Sequence, residues 1–407
     1  MRLQQALLGP LLVSFAFAQD LGVPLSWRKF SNSRPRSERI TIAQNAINAI
    51  VPQLDSSNGE FNSIGYWQSG NVYSAAANQD KSAGTTTNRA FVINNLNLVY
   101  SKYAHYDKYG VCLSILRYGI RMFFERLFSI TMTRCGGHNR RSMHTAPTIN
   151  MLAHAVDVWT HVTGYVVTQA QANSGRNPLK TVTIQSTCNG KTMAGGVFWT
   201  TRADDGGINS ITTGLYTTLS AFLAEYTGNS TYTNAAILSA NWIKNHQINA
   251  NNIVLDTTSA DCSTGPGLYT YNSGKYIEGL SVLAAVTGDS SWTSLMINIL
   301  NSAVKSSAWQ GSDGIITEGS SPGGNNDGVG FKAIFIRGLH EAWTRNSPNT
   351  ALLTLIHSYG DVQYNALLDL AATGNTYSSN WHGPPQAFTT WGQLAALDVM
   401  TSNIDTN

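Results

Sequence analysis

One seven-residue segment occurs twice in the chain, sixty positions apart. Thr227 to Thr233 reads Thr-Gly-Asn-Ser-Thr-Tyr-Thr, and Thr287 to Thr293 reads Thr-Gly-Asp-Ser-Ser-Trp-Thr. A glycine commonly ends a helix in the left-handed conformation, and Asn, Asp or Ser commonly caps the start of the next helix. Each copy is therefore a predicted turn between two helices. A period near sixty residues fits one helical hairpin together with its long loop.

Apolar residues recur every three or four positions from Ile40 onward, which is the period of amphipathic helices. Three clear runs are Ile211, Leu215, Leu219, Phe222 and Tyr226; Ile277, Leu280, Leu283 and Val286; and Phe331, Phe335, Leu339 and Trp343. Stacked hairpins either close on themselves or continue as a solenoid, and 407 residues have room for about six of them. We therefore predict an all-α closed toroid of paired helices rather than a bundle. The alternative is that the two Thr-Gly turns are alike by chance.

The first eighteen residues have the pattern of a secretory signal. Arg2 is followed by the apolar run Ala6 to Ala18, which closes on Ala16-Phe17-Ala18. This run is shorter than the roughly 20 residues that span a bilayer. We expect residues 1–18 to be removed and the chain to be secreted, although a buried first helix is the alternative. Residues 19–39 are then predicted to be a linker or pro-segment, and residues 40–402 a single domain.

Charged residues make up only 12% of the chain, and the formal net charge is +3. Soluble domains usually carry about a quarter charged residues, and here Ser, Thr and Asn supply the polar balance. This composition excludes a polybasic nucleic-acid binder and a disordered chain. It suits an extracellular protein, and the glycosylation sequon Asn229-Ser230-Thr231 agrees. We expect a monomer with no membrane span and no nucleic-acid partner.

Loops between the predicted helices carry aromatic, amide and carboxylate side chains. They include Ala194 to Trp199, Asp204 to Asn209, Tyr269 to Asn272, and Asn325-Asn326-Asp327. A sugar presents a flat C–H face that stacks on an aromatic ring, and hydroxyls that need planar donors and acceptors. The loops therefore indicate a carbohydrate site. Each aromatic alone is also compatible with core packing, and Asp204-Asp205 with an exposed turn or helix cap.

Motifs of other catalytic classes are absent from the sequence. There is no Gly-rich loop ending in GK[ST], no HExxH and no GxSxG, and the nine His have no ligand spacing. We therefore expect neither a metal nor another cofactor.

Five motifs appear in order along the chain: Gly65-Tyr66-Trp67-Gln68-Ser69-Gly70-Asn71; Ala194-Gly195-Gly196-Val197-Phe198-Trp199; Asn209-Ser210-Ile211 with Gly214-Leu215; Tyr269-Thr270-Tyr271-Asn272; and Phe331-Lys332-Ala333-Ile334-Phe335-Ile336-Arg337. Together they resemble glycoside hydrolase family 76, the α-1,6-mannanases, and in particular its fungal secreted members. The resemblance covers roughly residues 40–402 apart from one gap. It implies an (α/α)6 barrel with a groove at one end, and endo-acting hydrolysis of α-1,6-linked mannose with retention. The expected partner is α-1,6-mannan or a related cell-wall polysaccharide. By resemblance, five residues would line the groove: Trp199, Asn209, Tyr271, Asn272 and Asp327.

The gap falls where the family carries its catalytic residues. These are two adjacent aspartates in a Tyr-Asp-Asp-x-x-Trp-Trp motif, on the helix after the segment that ends here at Gly110. Residues 111–148, called below the divergent stretch, contain nothing similar. The divergent stretch holds six of the sixteen Arg and two of the four Cys of the chain, no Asp, and Glu125 as its sole acid. Such a break in composition suggests that this stretch is translated from DNA that does not belong to the coding sequence.

Codon degeneracy offers an explanation for the divergent stretch. Val111-Cys112 can be encoded as GTATGT, the form of a fungal intron donor, and Ser129 can supply an acceptor AG. Removal of eighteen codons and two bases shifts the frame, after which the codons of residues 130–138 permit Tyr-Asn-Asp-Asp-Ala-Leu-Trp-Trp-Ala. Those of residues 142–148 permit Tyr-Ala-Tyr-Arg-Ala-Tyr. The hypothesis is a retained intron with a frameshift, and the alternative is a genuine insertion.

A retaining glycosidase needs two carboxyl groups about 5–5.5 Å apart. Without the family's pair, the chain as translated is expected to be inactive or nearly so. Asp204 and Asp205 are the fallback candidates for the pair. Two other classes stay open: a non-catalytic mannan-binding protein, and a helical toroid acting on uronic sugars, against which the low count of basic residues argues.

Two of the four cysteines, Cys112 and Cys135, fall in the divergent stretch. Cys188 and Cys262 remain as one possible disulfide in an oxidising compartment. The alternative is two separate buried thiols.

Overall fold

A computed structural model of the chain describes residues 20–110, 146–320 and 327–405. The predicted signal at residues 1–18, residues 111–145 of the divergent stretch, and Asn325-Asn326 lie outside these ranges. Within them the chain forms α-helices joined by short two-stranded hairpins. The helices are α1 (Arg36–Ile50), α2 (Tyr66–Ala83), α3 (Arg89–Lys102), α4 (Ala146–Thr163), α5 (Gln169–Ser174), α6 (Ser210–Thr227), α7 (Ser230–His246), α8 (Thr270–Thr287), α9 (Ser290–Ala303), α10 (Phe331–Arg345), α11 (Thr350–Leu370) and α12 (Thr390–Ser402).

Two kinds of helix differ in how much of their surface is buried. In α2, α6, α8, α10 and α12 most residues are buried on every side, and in α8 every residue from Thr270 to Leu283 is buried. These inner helices pack in the order α6, α8, α10, α12 and α2. Outer helices bury one face, as α7 does with residues such as Tyr232, Ala236 and Ile243 at helical spacing. The outer helices α1, α3, α7, α9 and α11 each pack on an inner neighbour. The predicted all-α toroid of helical hairpins is confirmed.

Polar residues on the inner helices find partners within the ring. Thr217 and Thr218 donate their hydroxyls to the carbonyls of Thr213 and Gly214 in the preceding turn. This satisfies their hydrogen bonds locally, so the helix can be buried on all sides. The sequence pattern indicated only one buried face for α6, because its Thr and Ser residues count as polar although they are buried.

A buried ion pair connects three of the inner helices. Arg337 of α10 donates Nε and Nη2 to the carboxylate of Asp398 in α12, at 3.0 and 2.7 Å. It also donates Nη1 to Oδ1 of Asn71 in α2, at 2.8 Å. Because the charges are paired and hydrogen-bonded, their burial is tolerated, and the three helices are held in one arrangement.

The Thr-Gly repeats form the short turns at one end of the ring, as predicted. Gly228 and Gly288 adopt left-handed conformations with φ of 67° and 69° at the ends of α6 and α8. Asn229 then caps α7 by accepting the N–H of Thr231, and Asp289 caps α9 by accepting the N–H of Ser291. Each turn joins an inner helix to the outer helix that follows it.

The long connections lie at the other end and lead from outer helices into inner ones. They carry antiparallel hairpins: β1 (Leu54–Asp55) with β2 (Glu60–Phe61), β3 (Thr187–Cys188) with β4 (Lys191–Thr192), β5 (Thr257–Thr258) with β6 (Thr264–Gly265), and β7 (Ala372–Thr373) with β8 (Thr376–Tyr377). Cys188 and Cys262 form a disulfide that ties two of these connections together. Because each of the five inner helices described above starts at this end, their N-termini gather around its mouth.

The segment before α1 packs on the ring. Trp27 is 5% exposed and its ring lies 5.2 Å from that of Tyr359 in α11. Arg28 and Lys29 both pair with Asp369 near the end of α11, at 2.8 and 2.7 Å. The predicted linker or pro-segment at residues 19–39 is thus, from residue 20 onward, in contact with the domain. In the described ranges, no helix combines the length and apolar character needed to cross a membrane.

Candidate functional site

Four aromatic rings meet where α2, α8 and α10 begin. Tyr271 stacks on Phe331 with ring centroids 3.9 Å apart and an angle of 19° between the planes. Trp67 faces the same Phe331 at 6.2 Å, and Tyr269 meets both Tyr271 and Phe331 edge-on. Tyr269 is 39% exposed, whereas Trp67 and Tyr271 are buried. We call these four residues the aromatic platform, because Tyr269 presents its accessible ring at the mouth.

Asp256 connects the platform to the start of α6. Its Oδ1 accepts hydrogen bonds from Nδ2 of Asn272 at 3.0 Å and from the hydroxyl of Tyr271 at 3.4 Å. Its main-chain carbonyl accepts the N–H of Ser210, the first residue of α6, at 2.7 Å. Sequence reasoning missed Asp256. The available signal was an acid directly after the apolar Ile253-Val254-Leu255, in the loop before Tyr269.

Two more predicted groove residues lie in the segment that leads into α6. Asn209 is the N-cap of α6, where its Oδ1 accepts the N–H of Thr212 at 3.0 Å, and its backbone bridges to Thr257. Trp199 is 38% exposed, and its main-chain N–H donates to the carbonyl of Gly207 at 3.0 Å. The Trp199 ring packs so closely on Gly207 that a side chain there would collide with it.

Lys180 holds the loop that carries Trp199. Its ammonium group donates to three main-chain carbonyls, those of Thr200, Arg202 and Asp205, at 2.8, 2.6 and 3.0 Å. It also lies 4.5 Å from the centroid of the Phe198 ring. An ammonium group has three donors, so these carbonyls match its capacity. The Trp199 loop is therefore shaped around one buried charge that sequence reasoning missed.

Asp204 and Asp205, the fallback catalytic pair, occupy the same loop. Asp204 is exposed and pairs with Arg202, whose hydrogen bonds lower the pKa of its carboxyl. Asp205 accepts the hydroxyl of Thr200 and the N–H of Gly207, both at 2.9 Å. Both carboxylates thus bond to residues within five positions of themselves, as in a tight turn. They lie on the same loop as Trp199.

Asp327 lies on the α2 side of the platform. It starts the short 3₁₀ turn Asp327–Gly330, and its carboxylate accepts a hydrogen bond from Nε2 of Gln68, the residue after Trp67. Asp327 is exposed. Contacts therefore run from the start of α6 through Asp256 and Thr257 to Tyr271 and Asn272. On the other side of the platform, Gln68 next to Trp67 extends them to Asp327. The structure brings four of the five predicted groove residues into this connected set, with Trp199 on the adjoining loop.

Glu318 supports the first turn of α8 from below the platform. It accepts both the N–H and the hydroxyl of Thr270, the N–H at 2.9 Å. Burial raises the pKa of Glu318 to about 7. Burial also lowers the pKa of the nearby Lys332 to about 7; its Nζ donates to the carbonyl of Ser379 at 2.5 Å. Both groups were missed from the sequence, because nothing local distinguishes a buried charge from a solvated one.

A second aromatic cluster marks the edge of the site next to the divergent stretch. The ammonium group of Lys108 lies 5.2–5.5 Å from the ring centroids of Tyr66, Tyr103 and Tyr109 and pairs with Glu60 at 2.6 Å. The carbonyl of the neighbouring Gly110 accepts the N–H of Thr201 at 2.7 Å. The last residue before the divergent stretch is therefore bonded to the loop of Trp199. In the ranges that the structure covers, no group of three or more His, Cys, Asp or Glu could hold a metal ion.

A ring of helical hairpins, with aromatic, amide and carboxylate side chains at its mouth, has the architecture of a carbohydrate-active enzyme. The model of glycosyl hydrolase family 76 matches residues 180–407, which is more than half of the chain. The chain therefore belongs to glycosyl hydrolase family 76, a family of glycosidases. No curated protein sequence matches it.

Solved structures show the same fold at low sequence identity. An inactive variant of the alpha-1,6-mannanase of Salegentibacter sp. HEL1_6, with two aspartates replaced and alpha-1,6-mannotetrose bound, is 15% identical with a TM-score of 0.69, covering 91% of this chain and 99% of that one. Dfg5 from Chaetomium thermophilum, in complex with glucosamine, is 16% identical with a TM-score of 0.68, over 93% and 92%. The mannosidase Bt3792 of Bacteroides thetaiotaomicron is 13% identical with a TM-score of 0.62, over 90% and 98%. The (α/α)6 barrel predicted from the sequence is confirmed.

Proposed function

We propose that this protein is a secreted, fungal member of the family that binds α-1,6-linked mannan in the groove at the N-terminal ends of the inner helices. The family reaction would be endo-hydrolysis with retention. The chain as translated is proposed to bind without cleaving, because the divergent stretch replaces the Asp-Asp pair. A genuinely non-catalytic mannan-binding protein is the alternative.

The observation that carries this proposal is the continuity of the aromatic platform with Asp256, Asn272 and Asp327. The exposed rings of Tyr269 and Trp199 offer flat faces to sugar C–H groups, while the carboxylates and the amide offer planar partners to hydroxyls. The complex of the Salegentibacter enzyme with alpha-1,6-mannotetrose supports the choice of an α-1,6-linked mannose chain.

Where the divergent stretch begins supports the account of lost activity. Gly110 is hydrogen-bonded to Thr201, two residues after Trp199. Gly110 itself thus lies beside the loop that carries Trp199. A helix there could place two aspartates at the substrate, with the roles of nucleophile and acid divided by their different burial.

The test compares the chain as written with a chain in which the intron hypothesis is applied, so that Tyr-Asn-Asp-Asp-Ala-Leu-Trp-Trp-Ala follows Gly110. Binding of α-1,6-mannotetraose is measured by calorimetry, and cleavage of linear α-1,6-mannan by the release of reducing ends. We expect both chains to bind and only the restored chain to cleave. Binding without cleavage by both chains favours the non-catalytic alternative, and a transcript that keeps the divergent stretch in frame contradicts the intron.

Single substitutions test whether the mannan chain binds at the groove or elsewhere on the surface. Tyr269→Ala should weaken binding about three- to tenfold, the loss of one stacked ring. The matched control is Tyr226→Ala, which removes a tyrosine from the other end of α6. If the chain as written cleaves mannan and Asp205→Ala abolishes cleavage, Asp204 and Asp205 are the catalytic pair, and the family's Asp-Asp motif does not belong in the divergent stretch.

A further inference from the structure

The turn between α6 and α7 presents an exposed asparagine in a glycosylation sequon. Asn229, Ser230 and Thr231 are all exposed, and Asn229-Ser230-Thr231 is the one Asn-x-Ser/Thr sequence in the chain without proline at the middle position. Sequons are modified only when the asparagine amide is accessible and the chain enters the secretory pathway. The second condition rests on the secretion proposed above.

The repeated turn shows which part of Asn229 the fold uses. Oδ1 of Asn229 accepts the N–H of Thr231 at 2.9 Å, and Oδ1 of Asp289 accepts the N–H of Ser291 at 2.8 Å. Both residues cap an outer helix with the same oxygen, and Asp289 does so without an amide. The cap therefore does not require the nitrogen of Asn229, which can carry a substituent while the oxygen still caps α7.

The position of the turn leaves room for a bulky group. Asn229 follows the C-terminus of α6, whose 18 residues span about 27 Å from the groove end. A glycan on this turn would extend into solvent at the end of the ring opposite the aromatic platform. It would not cover the groove.

We propose that Asn229 is an N-glycosylation site of this protein. In the transfer, Nδ2 of Asn229 forms a bond to the anomeric carbon of an oligosaccharide carried on a lipid pyrophosphate. The bond from that carbon to the pyrophosphate oxygen breaks, the lipid pyrophosphate leaves, and the amide nitrogen loses one proton. The acceptor is the exposed amide, and the donor is the lipid-linked oligosaccharide of the secretory pathway.

The test expresses the full chain with its own leader in a yeast host and analyses both the cells and the medium. Mass spectrometry before and after peptide N-glycosidase should show one N-glycan on Asn229. Asn229→Asp should remove the glycan but keep the cap, and it is the same chain that peptide N-glycosidase leaves, because the enzyme converts the modified Asn to Asp. Asn229→Ala, which also loses the cap, should melt at a lower temperature.

A second experiment introduces a glycosylation site into the equivalent turn between α8 and α9. Asp289→Asn with Ser291→Thr gives the α8–α9 turn the same sequon, and this double variant should carry two glycans. If it carries one, the argument from the turn is overturned. Wild-type protein whose leader is removed but whose Asn229 is unmodified overturns the glycosylation site alone. A chain that stays in the cytosol with its leader attached overturns secretion, and the modification with it.

Discussion

The ammonium group of Lys180 lies within 3.0 Å of the main-chain carbonyl of Asp205, and two further carbonyls of the same loop share it. Lys180→Met keeps the length of the side chain but leaves those carbonyls without their donor, each at a cost of about 1–3 kcal/mol. We expect a lower melting temperature and weaker binding of α-1,6-mannotetraose, because the loop no longer fixes Trp199.

A double-mutant cycle separates this positioning role from general destabilisation. Trp199→Ala removes the ring that Lys180 is argued to position, so Lys180→Met should weaken binding little further in that background. Calorimetry on the wild type, both single variants and the double variant measures the coupling. Fully additive losses of affinity would show that Lys180 stabilises the fold without positioning Trp199.

Removal of the Trp27 ring should destabilise the domain strongly. Trp27 is 5% exposed against Tyr359, and truncation of a buried Trp to Ala costs about 3–5 kcal/mol. Leu25→Ala is the matched control, because Leu25 lies two residues away and is 91% exposed; its effect should stay within about 0.5 kcal/mol. Urea unfolding measures both variants, and equal midpoints would contradict the packing of this segment on the ring.

Reduction of the Cys188–Cys262 disulfide should lower the melting temperature, and mutation of both cysteines should lower it by the same amount. Cys188 and Cys262 are 74 residues apart, and cross-links of long loops typically contribute about 2–4 kcal/mol. The variant Cys188→Ser with Cys262→Ser should therefore melt at the temperature of the reduced wild-type chain, and a reductant should not affect it further. A wild-type melting temperature that a reductant leaves unchanged would contradict this contribution.

Glu318 should make the stability of the protein fall as the pH rises through the acidic range. Burial raises its pKa from 4.5 to about 7, so the unfolded chain releases this proton first. Between these two values the folded state binds more protons than the unfolded state, and the carboxyl increasingly opposes folding. Glu318→Gln keeps an oxygen for Thr270 but does not titrate. The melting temperature of wild type relative to this variant is expected to fall from about pH 5 to about pH 6.5.

In the wild-type chain the neighbouring Lys332 contributes little in that range, because the charge of Glu318 partly offsets the lowering of the Lys332 pKa by burial. Burial lowers its pKa from 10.5 to about 7, so its effect on stability changes with pH mainly above pH 7. Glu38→Gln, at a partly exposed glutamate of α1, controls for the change of charge. Parallel melting curves of wild type and Glu318→Gln across the acidic range would refute the raised pKa.

The sequence was sufficient for features that depend on local chemistry. Gly228 and Asn229 end one helix and start the next through their own backbone and side chain, so the turn and its repeat could be predicted without tertiary information. Tyr271 and Asn272 were named as groove residues through the resemblance alone, and their role in a groove stays a prediction. The fold followed from the repeat period and the resemblance together.

Features that depend on distant partners could not be predicted. Asp256 meets Tyr271 and Asn272 because the connection between α7 and α8 folds back on the start of α8. Lys180 reaches its carbonyls across a loop that starts twenty residues later. Trp27 lay in a basic, proline-containing stretch whose composition suggested a linker. Its burial depends on Tyr359, more than 300 positions away.

Two glycines deep in the ring determine how wide its mouth can be. Gly274 of α8 and Gly338 of α10 lie so close that a methyl group on either one would collide with the backbone of the opposite helix. Phe331 and Tyr271, one turn or two from these glycines, are carried on the same pair of helices. Any larger residue at the contact would push the helices apart and separate the two stacked rings, so the spacing of these rings at the surface is set by the absence of side chains in the interior.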